Sequence, residues 1–174
     1  MNRRRAVQSM AVAAAAAVAR PAKASSASAN VYVKRWNQAK VFTLMVADAM
    51  PGENYDFQPH ADMRSFGQVL THMAVANTRY FQRITGTPAP LKEPEKADKE
   101  TARKFIAECF DWCAKILEGL TEEDLNKTIP AQGKAPSVTG RDLVLNGFIH
   151  TAHHRGYSEV YMRAKGLVPP RYSV

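Results

Sequence analysis

The sequence predicts an all-α fold, a four-helix bundle, and three observations carry that expectation. Four segments of roughly 20 residues repeat apolar side chains at a spacing of three and four. Proline, glycine and short polar stretches separate them. No alternating strand pattern of comparable strength appears between them. Helices of this length bury one apolar face each, and a bundle is the arrangement that lets four of them do so together.

The first predicted helix runs from about Asn30 to Asp48, with Trp36, Ala39, Phe42, Val46 and Ala49 on its apolar stripe, and Pro51-Gly52 stops it. A polar connection containing Pro59 follows. Ser65 then stands where an N-cap belongs, with Gln68 three residues on, the spacing of a capping box. The second helix extends to about Ile84 on Phe66, Val69, Leu70, Met73, Ala76, Tyr80 and Phe81, and ends at Gly86 with Pro88 and Pro90 beyond. Residues 87–99 are rich in proline and charge and read as a long connection. The third helix covers about Lys99 to Leu120; Ala102, Phe105, Ile106, Cys109, Trp112, Cys113, Ile116 and Leu117 follow helical spacing closely. Thr121 to Leu125 reads as a capped turn and residues 127–140 as irregular chain with Pro130, Gly133 and Pro136. The fourth helix runs from about Arg141 to Lys165, closed by Gly166 and Pro169-Pro170.

The N-terminus has a different character. A basic head, Arg3-Arg4-Arg5, precedes an alanine-rich stretch from Ala6 to Ala19. Ala22-Lys23-Ala24 and Ala27-Ser28-Ala29 both offer small-x-small cleavage sites. That is the three-part plan of a secretory signal, and its apolar part is too short to span a bilayer. Residues 1–29 therefore read as signal peptide and flexible leader, and residues 30–174 as one bundle domain. The expected location is outside the cytoplasm, in the periplasm, by the general secretory or the twin-arginine route. The first 24 residues hold five basic and no acidic side chains, so most of the formal charge of +8 belongs to the leader. The remainder carries no basic block interleaved with aromatics, which argues against a nucleic-acid partner. No segment of the body is long and apolar enough for stable membrane insertion.

The two cysteines, Cys109 and Cys113, lie four apart on the apolar stripe of a helix, where side-chain directions make a disulfide awkward. They read as buried thiols.

Chemistry points to the histidines. His150 and His154 are one helical turn apart, which puts both imidazoles on one face within reach of a single ion. His72 lies mid-helix on the second segment, where bundle metal sites draw ligands from facing helices. Three neutral imidazoles suit a divalent metal such as zinc, nickel or iron(II). Three protein ligands leave positions open for water or substrate, the mark of a catalytic site. His153 points about 100° away from His154, and His60 sits in a loop; both read as surface or supporting residues. Arg155 reads as an ion-pair partner or an anchor for an anionic substrate, Gly156 as a point of close helix approach, and Asn146 as a candidate for the pocket wall. Glu-x-x-His, Cys-x-x-Cys-His and His-Glu-x-x-His motifs are all missing, so a di-iron carboxylate centre, covalent haem and the common zinc-protease site fit poorly.

With these residues in view, the sequence resembles the DinB/YfiT-like family, which is unrelated to the DNA polymerase sharing part of that name. RSFGQVLTHMA, with His72, resembles the opening of the family's second helix. HTAHHRGYSEVYMRAKGLVPP resembles its last helix, and PGENYDFQPHADM the loop before its second helix. The likeness covers about residues 30–172. It implies a four-helix bundle with a long crossover between helices 2 and 3, a metal site at His72, His150 and His154, and often a homodimer. Relatives include thiol-dependent transferases and isomerases. One position departs: the family's glutamine after Arg-Gly is Tyr157 here, which makes its phenol a candidate proton donor and weakens any transfer of substrate from glutamine-bearing relatives.

The leading expectation is a metal-dependent hydrolase or thiol-dependent transferase acting on a small molecule. The alternatives are a non-catalytic exported metal- or ligand-binding bundle and, weaker, a bundle whose histidines are core hydrogen-bonders.

Overall fold

The computed structural model describes residues 27–134 and 136–172. Almost all of the expected leader lies outside the described residues. Helix α1 spans Ala27–Ala49, followed by a single 3-10 turn at Gly52–Asn54; α2 spans Phe66–Thr85, α3 Lys99–Gly119, the short α4 Glu122–Asn126, and α5 Gly140–Ala164. Strands β1 (Thr128–Ile129) and β2 (Val138–Thr139) pair antiparallel, Thr128 with Thr139. That small ladder lies in the stretch expected to be irregular; two-residue strands are too short to leave a periodic signal.

Local chemistry sets the helix starts. Ser65 caps α2 by accepting from the Gln68 N–H, and the Gln68 side chain accepts from the Ser65 N–H at 3.0 Å, the expected capping box. Thr139 with Asp142 builds the same device at α5, and Asp98 caps α3. Gly86 ends α2 in the left-handed conformation, φ 73°.

The helix directions follow from contacts between ends. Arg103 near the start of α3 pairs with Asp48 at the end of α1, so these two run antiparallel. Tyr161 late in α5 donates to the Arg64 carbonyl just before α2, so α2 and α5 are antiparallel. Ala97, before α3, abuts Gly67 at the start of α2, so α2 and α3 run parallel. Residues 86–98 must therefore climb the length of α2, about 30 Å, which is the long crossover expected between the second and third long helices. The four long helices form an up-down-down-up bundle.

Trp36 centres the core. Its ring packs on Phe81, Phe110 and Phe148 at centroid distances of 5.0, 4.9 and 5.2 Å, and its N–H donates to the Phe110 carbonyl at 3.1 Å. Gly147 on α5 lets this cluster close: a Cβ there would stand 3.0 Å from the Phe81 ring. Ala49, expected on the buried stripe of α1, is exposed; Thr43, Ala47 and Met50 are buried instead. Cys109 and Cys113 are free and buried. Ala29 is fully buried, and Ala27–Ala29 form the first residues of α1. No described helix is long and apolar enough to cross a membrane.

Candidate metal centre

The site forms where α2 faces α5. Two interhelical hydrogen bonds bracket it: Asn77 donates to Thr151 Oγ1 at 2.8 Å, and Tyr161 donates to the Arg64 carbonyl at 2.8 Å. His72 lies between Arg64 and Asn77 on α2, and His154 between Thr151 and Tyr161 on α5. The two bonds fix the sliding register of the antiparallel helices, and that register places His72 opposite the pair on α5.

His72, His150 and His154 each offer a ring nitrogen, and these atoms all lie within 4.8 Å of one another. Ring centroids are 5.5 Å apart for His72–His150, 4.9 Å for His72–His154 and 4.4 Å for His150–His154. Tetrahedral ligands at about 2.0–2.1 Å from zinc sit roughly 3.3 Å from each other, so small ring rotations suffice to close the triad on one ion.

The electrostatics favour neutral imidazoles. Burial lowers His150 to about 4, helped by the neighbouring His72 and His153. His154 also falls to about 4, through burial first and then the fields of His150 and His72. His72 is lowered by burial, then by Arg64, with Glu93 opposing. Neutral rings keep their lone pairs available for an ion. His150 Nδ1 is buried without a hydrogen-bond partner, and such a group is costly unless something satisfies it. The donor set, its spacing and this orphaned nitrogen all fit a single divalent ion.

The other residues singled out in the sequence fall elsewhere. His153 is exposed, its ring 5.0 Å from that of His154, and is not part of the triad. His60 is exposed and lies 3.6 Å from the Asp62 carboxylate. Tyr157 is 44% exposed, with its ring 4.8 Å from His153 and 6.1 Å from His154, so it stands at the rim. Arg155 forms no ion pair with a carboxylate among the described residues: its guanidinium lies over the rings of Phe42 and Tyr172, on the side of α5 that faces α1. Gly156 is exposed with no atom within 4 Å of where its Cβ would be, so it does not mediate helix approach. Asn146 is exposed and does not line the cavity beside His72.

That cavity, about 440 Å³, has walls from Arg64, Gln68, His72, Arg79 and Glu93. Three of these were not anticipated. Arg79, seven residues after His72, shares one face of α2 with it and was readable in the sequence, whereas Arg64 precedes the N-cap and no helical spacing places it. Glu93 had no such signal, because only the crossover's path brings it there.

Comparison with known proteins agrees with the architecture. Residues 36–158 match the family model of the DinB superfamily. The chain is 26% identical over 140 residues to the protein YjoA of Bacillus subtilis (strain 168), covering 79% of this chain and 90% of that one. The crystal structure of that DinB-like protein superposes with a TM-score of 0.67 at 24% identity, over 82% of this chain and 97% of the other. A DinB-like protein from Bacillus cereus ATCC 10987 gives 0.71 at 18% identity, over 83% and 97%. With the family model spanning most of the folded region and the bundle shared with both structures, the chain belongs to the DinB superfamily.

Proposed function

We propose that this protein binds one divalent metal ion, zinc, nickel or iron(II), through His72, His150 and His154, and that it acts on a small molecule as a hydrolase or thiol-dependent transferase. The observation that carries the reading is the convergence of three neutral imidazoles from two helices within 4.8 Å, beside a solvent-accessible cavity. When bound, the ion supplies Lewis acidity at a position with coordination sites left free of protein. The chain's own residues do the rest. The α2–α5 hydrogen bonds hold the rings in register, the cavity wall orients what enters, and Tyr157 offers a phenolic donor at the rim. Export through the N-terminal leader is part of the same proposal, and the mass of the mature N-terminus tests it.

The test of the metal reading is metal content by elemental analysis of purified protein, wild type against His72→Ala and His154→Ala. One equivalent in wild type and a loss in both variants, with helicity retained, is the expected result. Equal content in His72→Ala refutes the triad. A second reading, a bundle that binds metal or ligand without turnover, shares the site; it prevails if the metal-loaded protein turns over neither ester nor thiol-acceptor substrates.

A further inference from the structure

Arg64 and Arg79 face the same cavity as His72, and neither forms an ion pair with a carboxylate among the described residues. Arg103 and Arg141, by contrast, pair with Asp48 and Glu122. Glu93 is the one acidic residue in the cavity wall. The metal triad contributes no negative charge either, since all three ligands are imidazoles. Two exposed guanidiniums near a bound divalent ion would outweigh the single carboxylate and give the cavity a positive potential that favours an anion. Guanidinium also forms paired hydrogen bonds with planar oxyanions.

We propose that the substrate of this site is a small organic anion whose carboxylate or phosphate group is held by Arg64 or Arg79, at either end of the cavity wall, while another part of it reaches the metal. The proposal rests on the metal reading above for the second half of that sentence; the arginine site stands on its own geometry. The cavity, about 440 Å³, lies within the range that encloses small molecules. Glu93 sets the selectivity. It repels a surplus negative charge and accepts a hydrogen bond from a hydroxyl or amine on the same molecule.

The test uses the full chain, metal-loaded and metal-free, with succinate and inorganic phosphate as probes and succinamide as the neutral control, read by calorimetry at low salt. Wild type is expected to bind succinate or phosphate at least about tenfold more tightly than succinamide. Either Arg64→Gln or Arg79→Gln should remove about that factor while metal content stays at the wild-type level, and Glu93→Gln should tighten binding. Preference for phosphate over succinate identifies a phosphorylated substrate, and the reverse a carboxylate; either supports the proposal. Equal binding of succinate and succinamide, or unchanged affinity in both arginine variants, overturns it. If no metal binds but the metal-free protein retains arginine-dependent anion binding, the metal reading fails and the anion site stands.

Discussion

Gly67→Ala probes the contact that fixes the crossover against the helix carrying His72. A Cβ at position 67 would lie 1.9 Å from the Ala97 carbonyl oxygen. The two segments must separate by about 1 Å or more to reach even a tight contact. Neither side gives easily. The Gly67 N–H donates to the Tyr55 carbonyl at 3.0 Å and the Phe66 N–H to Phe57 at 3.0 Å. Tyr55 is itself buried, with its hydroxyl on the Ala47 carbonyl at 2.7 Å. On the other side, Ala97 adjoins Asp98, the N-cap of α3. Overpacking of this kind costs about 1–3 kcal/mol, and alanine's better helix propensity returns less than about 1 kcal/mol of it. The expected net loss, about 1–2 kcal/mol, lowers Tm by roughly 2–8 °C for a domain of this size. Gly156→Ala is the internal control: nothing lies within 4 Å of the new methyl, so propensity alone acts and stability rises by about 0.5–1 kcal/mol. Urea denaturation of both variants measures the difference. Equal midpoints for Gly67→Ala and wild type, or a loss in Gly156→Ala matching that of Gly67→Ala, refutes the argument.

Further expectations concern the site and the core. With His150 and His154 both near 4 and His72 lowered, metal affinity should fall far less from pH 7.5 to 5.5 than the roughly thousandfold that three unperturbed imidazoles would lose, and drop steeply as pH approaches 4. A chelator-competition titration across that range decides between them. The same depression makes the metal-free fold less stable as pH drops from about 6.5 towards 4, where the unfolded chain takes up protons the folded one refuses; acid-dependent melting curves measure it. Burial pushes Cys109 up to about 12 and raises Cys113 well above the ordinary thiol range, so a thiol reagent at neutral pH should label neither cysteine until denaturant is added. Prompt labelling of native protein contradicts their core placement.

The sequence by itself determined the helices and the ligand types. Capping signals at Ser65, glycine and proline stops, and 3–4 apolar spacing are local properties, and they placed α2, α3 and α5 to within a few residues. The one-turn spacing of His150 and His154 is equally local, because an α-helix fixes their mutual direction. His72 was singled out by its mid-helix place in a bundle and by the family resemblance, but spacing alone could not set it opposite the pair, since two helices can slide past each other by a turn without any change in local pattern. Tertiary structure set that register, through the Asn77–Thr151 and Tyr161–Arg64 bonds and the packing of Trp36 and Phe81 over Gly147. It also moved Arg155 away from the site, because Phe42 and Tyr172 present aromatic faces to it. Glu93 reached the cavity only because parallel α2 and α3 force residues 86–98 to run the height of the bundle. Side chains along one helix have positions written in their spacing; those that meet across helices or from a crossover depend on the register and path the whole core selects.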